Sequence, residues 1–214
     1  HEEDSFLIEF RNLEEPLFGY RYFRANGYFP VKWLRVRNSI HQELIDKWMS
    51  ASRKRQIHNG LKHGAVMEVA RSHYNDDEHG TSSWRNETGN PESIGETGHR
   101  YFPDIRFFLS LISEPSRREL GKIFVVKYKG KVIGGSVCLF SGDCAYLLFS
   151  GGMRKSYAWL YPGVLAVWNA MLYAREQGYA HFEFIDAGLP FRRYGFRDFI
   201  LRFGGKQLSS RRWF

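Results

Sequence analysis

Cysteine is scarce in this chain. Cys138 and Cys144 are the only two in 214 residues, which excludes a disulfide-stapled secreted scaffold and points to a reducing compartment. An uninterrupted apolar run of the roughly 18 residues that would cross a bilayer is also missing. The most hydrophobic stretch, Leu160 to Ala174, is broken by Gly163 and Asn169. The expectation is therefore a cytoplasmic protein with neither a transmembrane segment nor a signal peptide. Negative charge is the scarcer sign: 23 Asp and Glu face 31 Lys and Arg, a net charge of +8. Such a surface draws anions, whether RNA, nucleotide-linked substrates, phosphorylated lipids or a membrane surface, and charge alone does not choose among them. There is no Walker loop, dinucleotide fingerprint, nucleophile elbow or Cys/His zinc pattern. His73, His79 and His99 stand near Asp76, Asp77 and Glu78 without a recognised ligand spacing, so no metal is expected.

Apolar and aromatic residues are plentiful. At 43% hydrophobic and 17% aromatic, a chain of this length buries a core large enough to fold without staples. Strand-like runs cover Phe6 to Phe10 and Val31 to Arg37, and a helix is expected after Ser39 as N-cap, ending at Gly60 or Gly64. A strand at Ala65 to Ala70 precedes a polar stretch, 73 to 100, expected to act as a lid over the acceptor cleft. A helix follows from Pro103. Three strands, Ile123 to Tyr128, Val132 to Phe140 and Cys144 to Ser150, are joined by the tight turns Lys129-Gly130-Lys131 and Ser141-Gly142-Asp143, an antiparallel meander. Pro162 suits the first turn of a helix closed by Gly178. A strand then ends at Asp186, and the tail alternates aromatic and basic residues. The order predicts an α/β (α+β) domain on a mixed sheet.

The Gly130-Lys131-Val132-Ile133-Gly134-Gly135 strand, the strand ending Ser150-Gly151-Gly152, the Pro-started helix and Phe182-Glu183-Phe184-Ile185-Asp186-Ala187-Gly188 together resemble the GNAT acyltransferase fold. With Ser52-Arg53-Lys54-Arg55-Gln56-Ile57, Lys62-His63-Gly64-Ala65 and Phe199-Ile200-Leu201-Arg202-Phe203-Gly204-Gly205 added, the chain resembles the FemAB-type branch, whose members add amino acids from aminoacyl-tRNA to peptidoglycan precursors. The resemblance implies a GNAT-like, mostly antiparallel mixed sheet flanked by helices over residues 45–214. It also implies that 1–44 are the remnant of a preceding GNAT-like half, the chain being a fragment that opens on His1 rather than Met. The implied donor is aminoacyl-tRNA or acyl-CoA, and the implied acceptor an amine of a cell-envelope or polysaccharide precursor. Further partners are the missing N-terminal half and a membrane surface.

Acyl transfer to an amine needs a held donor, a deprotonated amine and a stabilised oxyanion. Asp186, at a strand exit, and Arg202 are the expected catalytic residues. Arg53, Arg55, Arg154, Lys155, Tyr194, Gly204 and Lys206 are expected to bind substrate. Two departures stand out. Acyl-CoA enzymes hold the pyrophosphate with Gln/Arg-x-x-Gly-x-Gly/Ala. Aligning Gly163 with the central glycine puts Leu160 and Leu165 at the flanking positions. The FemAB-type ending is similar to Phe-Lys-x-x-Phe-Gly, and the lysine position here is Ile200, with Arg202 as its substitute if the segment is extended. A non-catalytic binding half and an acetyl-CoA enzyme with an atypical loop remain the alternatives.

Overall fold

The computed structural model describes residues 8–12, 15, 17–41, 45–70 and 120–214. The expected lid at 73 to 100, the helix from Pro103 and the histidine cluster lie outside the described residues. In chain order the elements are β1 (Phe10–Arg11), α1 (Tyr20–Ala25), β2 (Pro30–Ser39), α2 (Ala51–Lys62), β3 (Val66–Val69), β4 (Gly121–Tyr128), β5 (Lys131–Ser141) and β6 (Cys144–Gly152). A single helical turn, α3 (Arg154–Tyr157), leads into α4 (Pro162–Glu176), then β7 (His181–Phe184), α5 (Gly195–Leu201) and β8 (Lys206–Trp213).

One eight-stranded sheet runs in the order β1-β8-β2-β7-β6-β5-β4-β3. Every pairing is antiparallel except β6 with β7. That parallel pair needs a long crossover, which α4 supplies. Lys129 and Gly130, at φ 48 and 79, make the β4–β5 turn in the left-handed region that hairpins require. The main core lies between the sheet and one helical layer. Phe124, Cys138, Leu147, Phe182 and Phe184 meet Ile57 of α2, Leu165 and Met171 of α4 and Ile200 of α5 there. Each such side chain contributes about 1.5–3 kcal/mol by leaving water. Alternation along β7 sends Phe182 and Phe184 into this core and Glu183 to the opposite face. Helix α4 sits close on the sheet because β5 and β6 offer glycine: a Cβ on Gly134 or Gly152 would come within 2.9 Å of Pro162 or 2.6 Å of the Gly163 nitrogen.

Several boundaries differ from expectation. Helix α2 starts at Ala51, with Ser50 and not Ser39 as N-cap, its hydroxyl accepting the Arg53 N–H. Ser39 instead ends a ten-residue strand. Strand β7 stops at Phe184, two residues before Asp186. The segment around Ile200 is the helix α5 rather than extended chain, so Ile200 and Arg202 do not share a strand face. Strand β2 is an interior member of the sheet, bonded to β7 on one side and β8 on the other.

Candidate functional site

Strands β6 and β7 begin as partners and then part. Their pairing runs from Cys144↔His181 to Leu147↔Phe184 and ends. Beyond it β6 continues to Gly152 along β5, with a bulge that leaves Leu148 between the pairs Leu147↔Cys138 and Phe149↔Val137. The chain after Phe184 swings the other way and bonds β2: the Ala187 N–H donates to the Leu34 carbonyl and the Leu34 N–H to the Gly188 carbonyl, both at 2.9 Å. Among the described residues, the β7-side edge of 148–152 therefore has no strand partner. That edge forms one wall of a wedge whose other wall is 185–188, an arrangement that can accept an extended ligand as an added strand.

Arginines gather at the helix side of the wedge. Arg53, in the first turn of α2, is 2% exposed. Its guanidinium lies 4.4 Å from the Phe199 ring centroid and 4.3 Å from that of Phe203. It donates to Gln56 Oε1 at 2.8 Å and to the Phe199 carbonyl at 2.6 Å. Phe203 in turn meets Phe184, the last residue of β7, at 5.8 Å. Burial, then the fields of Arg202 and Arg154, pull the Arg53 pKa down to about 10, so it stays charged at neutral pH in the company of two further cations. Arg202 caps α5, and its carbonyl accepts the Ser50 N–H at 3.0 Å, joining the end of α5 to the start of α2. Arg154 opens α3, two residues after β6 ends.

Asp186 sits in the opposite wall and turns its carboxylate to the face away from the helices. Oδ1 accepts the Trp33 indole N–H at 3.0 Å and lies 3.3 Å from Arg212 Nη2, while the Tyr194 hydroxyl donates to Oδ2 at 3.4 Å. Arg212 lies over the Trp33 ring at 3.7 Å. These donors hold the carboxylate in one orientation. The loop that carries Tyr194 is shaped by Arg197, whose guanidinium donates to the carbonyls of Ala187, Leu189 and Arg192.

The expected site residues thus fall into two groups, Arg53 with Arg154 and Arg202, and Asp186 with Tyr194. Others are not brought in. Arg55 is exposed and, two residues along the helix from Arg53, points to the other side of α2. Lys155 is exposed beside Arg154. Gly204, at φ 90, is buried so tightly that a Cβ would come 2.9 Å from the Trp48 carbonyl oxygen, so it packs closely against the segment before α2. Lys206 is exposed opposite Arg37, on the face that Arg53 does not share. Ile200 is 0% exposed inside the core, so its place offers no route for a charged side chain to the wedge. Of the tail aromatics, Phe196 and Phe199 pack against the core and only Phe191, 93% exposed, stands in solvent. Sequence reasoning missed Trp33, Arg212 and Phe203, whose contacts depend on strand order.

Acyl-CoA would require the first turn of α4 to cradle a pyrophosphate. Pro162 has no N–H, and the Val164 and Leu165 amides both donate to the Tyr161 carbonyl, at 2.9 and 3.1 Å. The Gly163 amide lies against Gly152. This donor set does not fit a pyrophosphate.

A crossover helix between parallel strands that splay apart at a bulge defines an acyltransferase-type α/β fold. The chain belongs to the GNAT family: a family model described as Acetyltransferase (GNAT) domain matches residues 49–193. Among solved structures the chain is similar to FemX, with TM-score 0.68 and 13% identity over 99% of this chain and 72% of that one. It is also similar to L-PGS from Bacillus licheniformis, with TM-score 0.67 and 14% identity over 97% of this chain and 67% of that one. A third is the C-terminal domain of a protein assigned as a lysylphosphatidylglycerol synthetase from Agrobacterium fabrum, with TM-score 0.64 and 15% identity over 92% of this chain. This chain spans 64% of the length of that Agrobacterium structure. At such identities the likeness is one of fold, and it agrees with the FemAB-type resemblance in the sequence. A search of curated proteins by sequence finds no match. No helix among the described residues is long and apolar enough to cross a membrane.

Proposed function

We propose that the domain transfers an acyl or aminoacyl group to an amine, in the wedge between 148–152 and 185–188. The divergence of β6 from β7 carries this reading, because it opens a cleft between the two strands in which backbone can face the donor carbonyl and its oxyanion. The acceptor approaches as an ammonium ion, which the Asp186 carboxylate attracts. Its proton passes through the Tyr194 hydroxyl to Asp186, the free amine nitrogen attacks the donor carbonyl carbon, and as the tetrahedral intermediate collapses the C–O or C–S bond to the donor breaks and the leaving oxygen or sulfur takes the proton that the attacking nitrogen gives up. An aminoacyl ester donor is favoured over acyl-CoA, since α4 has no pyrophosphate cradle. A shared fold with a protein assigned as a lysylphosphatidylglycerol synthetase points the same way, as that name describes an amino acid joined to a lipid. The acceptor we favour is an amine of a cell-envelope or polysaccharide precursor.

The buried Ile200 supports a second reading, a non-catalytic domain that only binds. Putting lysine there cannot separate the two readings, because an ammonium in the core would cost several kcal/mol before activity was asked about. The test is transfer from labelled aminoacyl-tRNA and acyl-CoA to amine acceptors, by the chain and by its Asp186→Asn and Tyr194→Phe variants. Proton transfer of this kind is worth about 10²–10⁴-fold, so Asp186→Asn should lose at least about 100-fold. Absence of transfer from either donor selects the binding reading, and undiminished transfer by Asp186→Asn removes the proton role.

A further inference from the structure

We propose that Gly188 and Arg197 are positioning residues for the Asp186–Tyr194 pair, setting the Tyr194 hydroxyl on the carboxylate without touching substrate themselves. Their purpose rests on the acyl-transfer reading; their geometry does not.

Residues 185–194 belong to no helix or strand, so the place of Tyr194 comes from contacts that the loop makes with its neighbours. Two anchors supply them. On one side the loop is tied to β2, since the Ala187 N–H donates to the Leu34 carbonyl and the Leu34 N–H to the Gly188 carbonyl, both at 2.9 Å. On the other it is tied to α5, a helix seated on the core through Phe196, Phe199 and Ile200. Arg197 makes that second tie. Its Nε donates to the Ala187 carbonyl at 2.7 Å, and its Nη2 to the carbonyls of Leu189 at 2.5 Å and Arg192 at 2.8 Å. A planar guanidinium fork serves three carbonyls spread from 187 to 192, which the single point charge of a lysine does not.

Gly188 sets the ring. Its φ of 75 lies in the left-handed region that glycine tolerates best, and an added Cβ would stand 2.7 Å from Cδ1 and 2.8 Å from Cγ of Tyr194. The Gly188 main chain is held by its bond to Leu34, so under such a clash the aromatic ring is the part that gives. A tilt at Cγ carries the hydroxyl at the far end of the ring away from Asp186 Oδ2, to which it donates at 3.4 Å, a long contact that a small displacement breaks. Asp186 is fixed from the other direction by Trp33 and Arg212, so the carboxylate does not follow the ring.

Transfer kinetics test this through pairs of variants. Gly188→Ala and Arg197→Lys should each lower kcat by at least about tenfold, since a misplacement of about 1 Å costs on the order of 100-fold, with KM held within about twofold. In a Tyr194→Phe chain, which has no hydroxyl to position, the same two substitutions should change kcat by less than about twofold. Equal losses with and without the hydroxyl mean a merely structural role and overturn the inference, as does undiminished kcat in both variants. A second readout needs no activity. With tyrosine carrying carbon-13 at Cζ, the Tyr194 resonance, assigned by Tyr194→Phe, should shift on Asp186→Asn in the unaltered chain and stay in place on Asp186→Asn in the Gly188→Ala and Arg197→Lys chains. A shift of equal size in all three, or none in the unaltered chain, overturns the inference. Should Gly188→Ala fail to fold, Arg197→Lys, at a half-buried position, carries both measurements. Absence of transfer by the unaltered chain removes the acyl-transfer reading alone, and the resonance then decides the positioning.

Discussion

Two clusters of arginine occupy opposite faces of one sheet, and they are built on different terms. On the far face Glu183, 0% exposed, takes Arg35 Nη1 at 2.9 Å and Arg37 Nε at 2.7 Å, while Arg212 pairs with Glu9 at 3.2 Å and Asp186 at 3.3 Å. There each of these carboxylates faces at least one arginine. On the helix side Arg53 is as deeply buried as Arg35 and, among the described residues, is bonded to two neutral oxygens and covered by two aromatic rings. The contrast separates charge that a fold consumes from charge that it presents. Composition alone merges them, since both contribute equally to the net +8.

The sharpest break in this comparison is Glu183→Gln. It leaves Arg35 and Arg37 facing a neutral amide in a desolvated site, and removal of one partner from a buried pair costs about 3–5 kcal/mol. Urea unfolding should show that loss, and a change under about 1 kcal/mol would mean that water already reaches the network. Arg53→Met should cost less, about 1–2 kcal/mol, because the lost hydrogen bonds and ring contacts are offset by relief of a desolvated, repelled cation. If Arg53→Met proves as damaging as Glu183→Gln, the two clusters are alike and the comparison fails. Arg154→Ala and Arg202→Ala, at exposed positions, should each shift stability by less than about 0.5 kcal/mol. The smallest effect is chemical. Burial pushes the Cys144 thiol up to about 12, and the Glu183 charge pushes in the same direction. Both thiols should therefore resist alkylation near pH 8 in the native chain, and Glu183→Gln should speed Cys144 labelling while leaving Cys138, raised by burial alone, slow.

The parts legible in the sequence were those written in neighbouring residues. The β4–β5–β6 meander follows from its tight turns, and α4 from Pro162 at one end and Gly178, at φ 84, at the other. The tail misled because aromatic and basic residues alternate from Phe191 to Arg197, while the informative spacing, Phe196, Phe199, Ile200 and Phe203, is helical and begins only there. Helix α2 was placed too early because β2 runs on to Ser39 and the apolar residues Ile45 and Met49 enter the core from turns. Arg53, Arg154 and Arg202 were singled out one at a time, yet their meeting depends on three elements far apart in the chain. The Glu183 network was illegible for the same reason: Arg37 and Glu183 are 146 residues apart, and their contact exists only because β2 lies beside β7.

That position of β2 also sets the order in which the molecule can assemble. The strand is made well before its hydrogen-bonding neighbours, β7 and β8; Trp33 and Ser210, directly opposed, are 177 residues apart. Until β7 and β8 are made, β2 lacks both of the neighbours it has in the folded sheet, and alternation along it already exposes Leu34 and Val36 as apolar surface. The meander with β3, and α2 with α4, can condense before then, so the nascent chain carries half a sheet and a hazard for aggregation until β7 and β8 appear. A ribosome stalled before β8 would hold a chain that cannot close its own sheet, with Trp33 still without the ring-stacked Arg212 that ties it to Asp186.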